Sequence, residues 1–407
     1  MNPSTIDHVR YLTLTPFSDQ VSPMNDDKIL RTKTSSRKAD SRRGAAGIFG
    51  LILCVAMVTL LAVVSEFAYI NTARTELSRS ADSAALAGAW ALHDARVRGD
   101  LNANQQVILA ADILGAANEV GDVQAHLASD ERSVEIGTFN AGTQTFYSTG
   151  NSNTANAVRV NFLLTNSVHG ELPLQLGGLT GRKTQSLSRS VIAAFQHNIV
   201  GFERPHTEAS TVEILPIALD EETWQQVVSK DTEDKFMYWN GSIANGSDGF
   251  HECSLYPTGT GSPGNRGTVD IGSSNNSTKD IRRQILHGIS QDDFDALGKE
   301  LIFNDQGELS LNGDTGISAG IKAELESIIG EKRIIPIFRR VQGNGNNANY
   351  TIIAWEGIRI LSVRLTGPMK HKHLTIQPAP MVARGCKLSQ TGDSHSEYLY
   401  SPAMLVD

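Results

Sequence analysis

The apolar positions form one unbroken block and several periodic runs. Gly44 to Ser65, GAAGIFGLILCVAMVTLLAVVS, holds 22 residues without a charge, and at ~1.5 Å per residue a helix of that length crosses a ~30 Å hydrocarbon layer. A soluble core helix presents a polar stripe; here neither face carries a charge, so the run predicts a transmembrane helix. Beyond it, residues 66–98 contain no Pro and only Gly88, and they set Ile70, Ala73, Leu77, Ala81, Ala84, Ala85, Gly88 and Leu92 three or four apart. That spacing predicts a long amphipathic helix with a small-residue face. Small faces allow close approach, and two uses stay open: self-association of helix 66–98 with neighbouring copies, or packing on its own domain.

Downstream the period changes. Residues 133–147 alternate in two short runs around Asn140-Ala141-Gly142, a hairpin pattern, and Ala157 to Leu164 and Ser186 to Phe195 read as further strands. Glu203 to Ser210, with Pro205, reads as a linker, so 201–210 separates a first outer domain, 66–200, from a second, 211–407. In the second, strand-like runs at Val212 to Leu219, Arg333 to Arg340, Tyr350 to Trp355 and Gly357 to Leu365 surround three helical segments. Asp220 caps 221–229, Ser290 and Asp293 open 291–301, and Ser318 to Ile329 buries Ile321, Leu325, Ile328 and Ile329 before Gly330 stops it. The fold class is α+β: a single N-terminal transmembrane helix, extended outward and followed by a small antiparallel sheet, then a second α+β domain.

Charge adds direction. Residues 1–43 hold 8 Lys/Arg against 5 Asp/Glu, within a chain of net charge −8, so the body is acidic and nucleic acid is excluded as its main partner. The lead, rich in Ser, Thr and charged residues, reads as a disordered basic cytoplasmic tail. Lys28 to Arg43 precede the span with Asp40 as the one acid after Lys28, while Glu66 opens the far side, which predicts a cytoplasmic N-terminus and extracytoplasmic domains. Among the 3 cysteines, Cys54 lies in the span. Cys253 and Cys386 face oxidising conditions either as one disulfide or as two separate buried thiols.

The order Arg42-Arg43-Gly44-Ala45, an apolar span, Glu66 at its outer end, then Asn71 to Leu77 and Ser80 to Ala89 resembles the N-terminal region of TadE/TadG-like proteins of Flp (Tad) pilus assembly. The similarity is closest from Arg42 to about Leu92 and continues more weakly through Val134 to Phe139, Asn156 to Val160 and Leu172 to Ala194. The resemblance implies a pilin-like plan of cytoplasmic stub, anchor helix and periplasmic domain in a bacterial inner membrane. It also implies work through contacts with the lipid bilayer and other pilus-assembly proteins or pilin-like subunits, in cell adhesion, with no catalytic residues. Arg42, Arg43, Glu66, Ile70, Leu77, Ala81, Ala84 and Gly88 are the anchoring and packing positions. Glu66 stands too far from any Gly cleavage site to fit prepilin processing.

Sites of chemistry are weak. Gly259 to Arg266 has phosphate-loop glycines, but Asn265 and Arg266 replace the Lys and Ser/Thr that would contact phosphate and magnesium. Asp270-Ile271-Gly272-Ser273-Ser274 is similar to the Asp-x-Ser-x-Ser metal motif of von Willebrand A domains, with Gly272 in place of the first serine ligand. His371 and His373 lack a third ligand, and no nucleophile elbow, His-Glu-x-x-His or Cys-x-x-Cys is present. The expectation is no enzyme, no metal and no cofactor. The alternatives are a membrane-tethered ligand-binding or hydrolytic module built from loops 257–277 and 342–349, or a calcium-dependent adhesion domain.

Overall fold

A computed structural model describes residues 40–98, 102–121, 123–124, 127, 133–151, 155–167, 170–256, 266–272, 277–343, 345–389 and 396–406. The tail 1–39, the glycine loop 257–265 and Ser273 and Ser274 of the Asp270 motif therefore lie outside the described residues. The chain divides into two compact units, Met1–Leu60 and Leu61–Asp407. In the first, the described residues are helical, and the side chains from Ala46 to Leu60 are exposed. They belong to the helix Asp40–Arg98, which among the described residues is the one helix long and apolar enough to cross a membrane.

In the second unit, a second helix, Ala103–Ala116, follows the long one. A 5-stranded antiparallel sheet then runs in the order Met404–Leu405, Leu187–Ala194, Ala157–Leu164, Val134–Asn140, Thr145–Ser148. The four strands read from sequence are there, and the turn after Asn140 joins the hairpin. The second helix was not visible in the pattern. It buries Ala103, Val107, Ala111 and Gly115, one small residue per turn, while Ile108, Leu109, Ile113 and Leu114 are exposed, so its apolar content points the wrong way for an amphipathic reading.

The α+β class extends to the rest of this unit. A 7-stranded mixed sheet is built around Ala348–Arg364, which pairs along its length with Lys332–Gln342, through its first half with Leu309–Asp314 and through its second with His373–Pro378. The runs expected as two strands on either side of Glu356 are thus one strand of 17 residues. The apparent break exists because Glu356, though polar, is fully enclosed. One face of this sheet packs Ile335, Ile337, Ile358 and Ile360 on Trp224, Ile281, Ile285 and Leu325 from three helices; the other packs Ile334, Phe338, Ile352 and Trp355 on Ile199, Phe202 and Phe294.

Helix ends follow the expected chemistry with altered lengths. Asp220 accepts the Thr223 N–H and caps Glu221–Val228. The capping box at Ser290 and Asp293 opens Gln291–Leu297, which stops short of residue 301 because Gly298 takes φ 69°. Ser318–Ile329 is a 3-10 turn followed by Lys322–Ser327; Ile321, Leu325 and Ile328 are buried, but Ile329 is exposed, past the end of the helix. Thr278–His287, capped by Ser277, is a further helix of this unit.

Replacing Gly88 by Leu places a side chain where a Cβ alone would meet Val158 at 3.2 Å. It is expected to cost about 1–3 kcal/mol, read as a lower denaturation midpoint of the detergent-solubilised chain, whereas Thr75→Ala on the exposed side should shift stability by no more than ~0.5 kcal/mol.

Candidate functional site

The buried face of the long helix starts at Ala62 and recurs at Glu66, Ala73, Leu77, Ala81, Ala84, Ala85, Ala89, Leu92 and Ala95. Three- and four-residue steps keep these on one side. At Gly88 a Cβ would also lie 3.5 Å from Val107 and 3.6 Å from Ala111, so the second helix seats its own small residues in this face and Val158 of the sheet closes it. Leu77, Ala81 and Ala84 are fully buried in that core, and Ile70 is half-buried against it. The small face is therefore filled by its own chain and has no room for a neighbouring copy, which corrects the self-association reading for that face. Arg42 and Arg43 lie in the helical backbone, and their side chains lie outside the described residues.

Glu66 is enclosed, and its carboxylate accepts the backbone N–H of Leu176, 110 residues away in sequence. One turn on, Tyr69 donates to the Gly121 carbonyl at 3.1 Å, and Gly121 N–H donates to Glu76 at 2.9 Å. At the other end of the helix, Arg96 donates to the Ala155 carbonyl at 3.3 Å, and Trp90 and His93 pack edge-on and tilted on Phe195 at 5.1 and 5.0 Å. Burial holds the His93 imidazole below its ordinary pKa, so it sits there as a neutral ring.

Cys253 and Cys386 are free thiols, on the strands Cys253–Tyr256 and Cys386–Leu388. Burial pushes their pKa up to about 12 and about 11, which makes them poor nucleophiles. Arg266, the described end of the glycine loop, is buried and spent on structure: its Nε donates to Asp220 at 2.6 Å. His373 contacts the Ser362 hydroxyl at 2.9 Å. Asp248 accepts N–H groups of Tyr238 and Phe250 in a turn. Among the described residues no three His, Cys, Asp or Glu side chains converge as metal ligands. A cleft of about 620 Å³ is lined by Arg96, Asn140, Asn156, His197, Ser396, Glu397 and Tyr400 among others, and the Ser396 hydroxyl there donates to the Trp355 carbonyl at 2.7 Å.

Glu356 is the feature that sequence reading missed. Completely buried, it accepts N–H groups of Glu397 and Tyr398, each at 2.9 Å, and so ties that loop to the long strand. Burial raises its pKa from 4.5 to about 8.

With this geometry in view, the comparisons are narrow. Residues 44–91 match the family model described as Tad, putative Flp pilus-assembly TadE/G-like, which supports a role related to Flp pilus assembly and the resemblance read over the N-terminal region. No curated protein and no solved structure matches the chain.

Because the folded-state pKa of Glu356 lies above its ordinary value, the folded chain holds the extra proton between pH 4.5 and about 8, and stability present below that window is lost as pH rises through it. The wild-type midpoint minus that of Glu356→Gln should fall across this range, by at most about 1.4 kcal/mol per pH unit, when both are melted at matched pH.

Proposed function

We infer that the chain is a single-span anchored component of a Flp (Tad) type pilus or related envelope system, acting by protein contacts and not by catalysis. The observation that carries it is the coincidence of the family match at 44–91 with the exposed apolar helix that continues into a folded unit. In this reading 44–65 crosses the cytoplasmic membrane with the basic side inward, and 66–200 and 211–407 stand outside as two domains. The second lends its last strand to the first sheet, where Met404 pairs with Ala194. The helix is mechanical: it fixes the outer body, and the body meets other assembly parts. The apolar quartet Ile108, Leu109, Ile113 and Leu114, exposed on the second helix, supports contact work. The spent Arg266 weighs against the hydrolytic or ligand-binding alternative at loop 257–277.

Two measurements test the anchor and its direction. The full chain should stay with membranes after an alkaline carbonate wash, and a periplasm-active reporter fused after residue 407 should be active. Release by carbonate, or activity only of a cytoplasm-dependent reporter, overturns the reading.

A further inference from the structure

The long helix changes surroundings before its apolar run ends. Leu61, Val63 and Val64 are 64%, 49% and 58% exposed, yet Ala62 between them is 5% exposed. One face of the last turn of the apolar run is therefore covered. One turn later the Leu176 N–H of the folded body reaches Glu66 on the same side of the helix. Leu176 belongs to a small hairpin, in which Leu172–Pro173 pairs with Thr184–Gln185 around the short helix Gly177–Thr180. Its base is fixed by Leu172, fully buried and close enough to Gly121 that a Cβ there would collide with it, and Gly121 is itself held by Tyr69.

The tip is built to leave water. Part of its backbone is closed within the hairpin: Leu174 N–H donates to the Lys183 carbonyl at 2.9 Å, Leu179 N–H to that of Leu176 at 2.8 Å and Gly181 N–H to that of Gly177 at 2.9 Å. Each such bond lowers the penalty for entering a low-dielectric layer. Leu179 projects at the tip with 64% of its surface exposed, beside exposed Arg182 and Lys183. Glu171, the acid at the base, is occupied by the hydroxyls of Thr184 and Ser186.

We propose that the Leu172–Gln185 hairpin is a foot on the phospholipid surface from which the helix emerges: Leu179 enters the outer edge of the hydrocarbon, and Arg182 and Lys183 bind lipid phosphates. The proposal rests on the single-span reading, because only that reading puts Ala62 at the lipid boundary. The register along the helix then sets the foot at headgroup depth. Leucine suits the apolar side of that boundary, and long basic side chains reach back to the phosphates.

The test uses the full chain with its three cysteines replaced, carrying an environment-sensitive fluorophore at Leu179→Cys, in proteoliposomes of phosphatidylcholine with and without phosphatidylglycerol. A nitroxide-bearing lipid is the quencher. A second probe at Asp94→Cys, ~42 Å further along the same helix, is the control. The foot predicts a blue-shifted, quenched probe at Leu179 and an unquenched one at Asp94. It also predicts that trypsin cleaves the unmodified chain after Arg182 and Lys183 about five-fold more slowly with the anionic lipid than without, and that quenching of the Leu179 probe is stronger with the anionic lipid, a dependence lost in Arg182→Glu/Lys183→Glu. A Leu179 probe as wet as the Asp94 probe, or tryptic cleavage that ignores lipid charge, overturns the foot while carbonate retention leaves the anchor standing. Release by carbonate overturns both.

Discussion

Close approach along one helix face is the constraint on which the rest depends. Ala73, Ala81, Ala84, Ala85 and Ala89 lose all exposure, and Gly88 leaves room for Val158 and Val107 at contact distance. Larger residues would hold the second helix and the sheet away, and Leu77, Leu92, Phe162 and Leu164 would lose the shared core in which they are buried. The same helix is dressed differently in its earlier part, where Leu, Val, Ile and Phe side chains face outward. One element thus passes from an exposed apolar surface to a buried small-residue face along its length.

Much of this was legible because it is periodic. The apolar block, the three- and four-residue spacing from Ile70 to Leu92, and the alternation in Ala157–Leu164 each bury one face, and residue type follows burial. What stayed hidden is what periodicity does not encode. The second helix hides Ala, Val and Gly while showing Ile and Leu, so its pattern is inverted. Glu356 reads as a strand end, since nothing local announces that Glu397 and Tyr398 will supply its donors from 41 and 42 residues away. The Glu66 to Leu176 bond spans 110 residues for the same reason: its partner is a backbone amide, which any sequence provides. Glu66 was singled out by family resemblance, and its enclosure became visible only in three dimensions.

The second sheet shows how polar residues are absorbed without forming a reactive centre. Asp220 both caps a helix and receives Arg266, and Asp293 both completes a capping box and receives Arg283 and Gln284. Each carboxylate is fully used by donors that also fix the fold, and satisfied charges of this kind specify structure more than they add stability.

The pairing of Met404–Leu405 with Ala193–Ala194 has a consequence for biogenesis. Until Met404 and Leu405 pair, the sheet that packs on the long helix keeps a bare margin at Leu187–Ala194, open to mispairing with other chains. Because Met404 and Ala194 are far apart in sequence, this margin closes through a non-local contact, which forms more slowly than the local hairpin of Val134–Asn140 with Thr145–Ser148 in the same sheet.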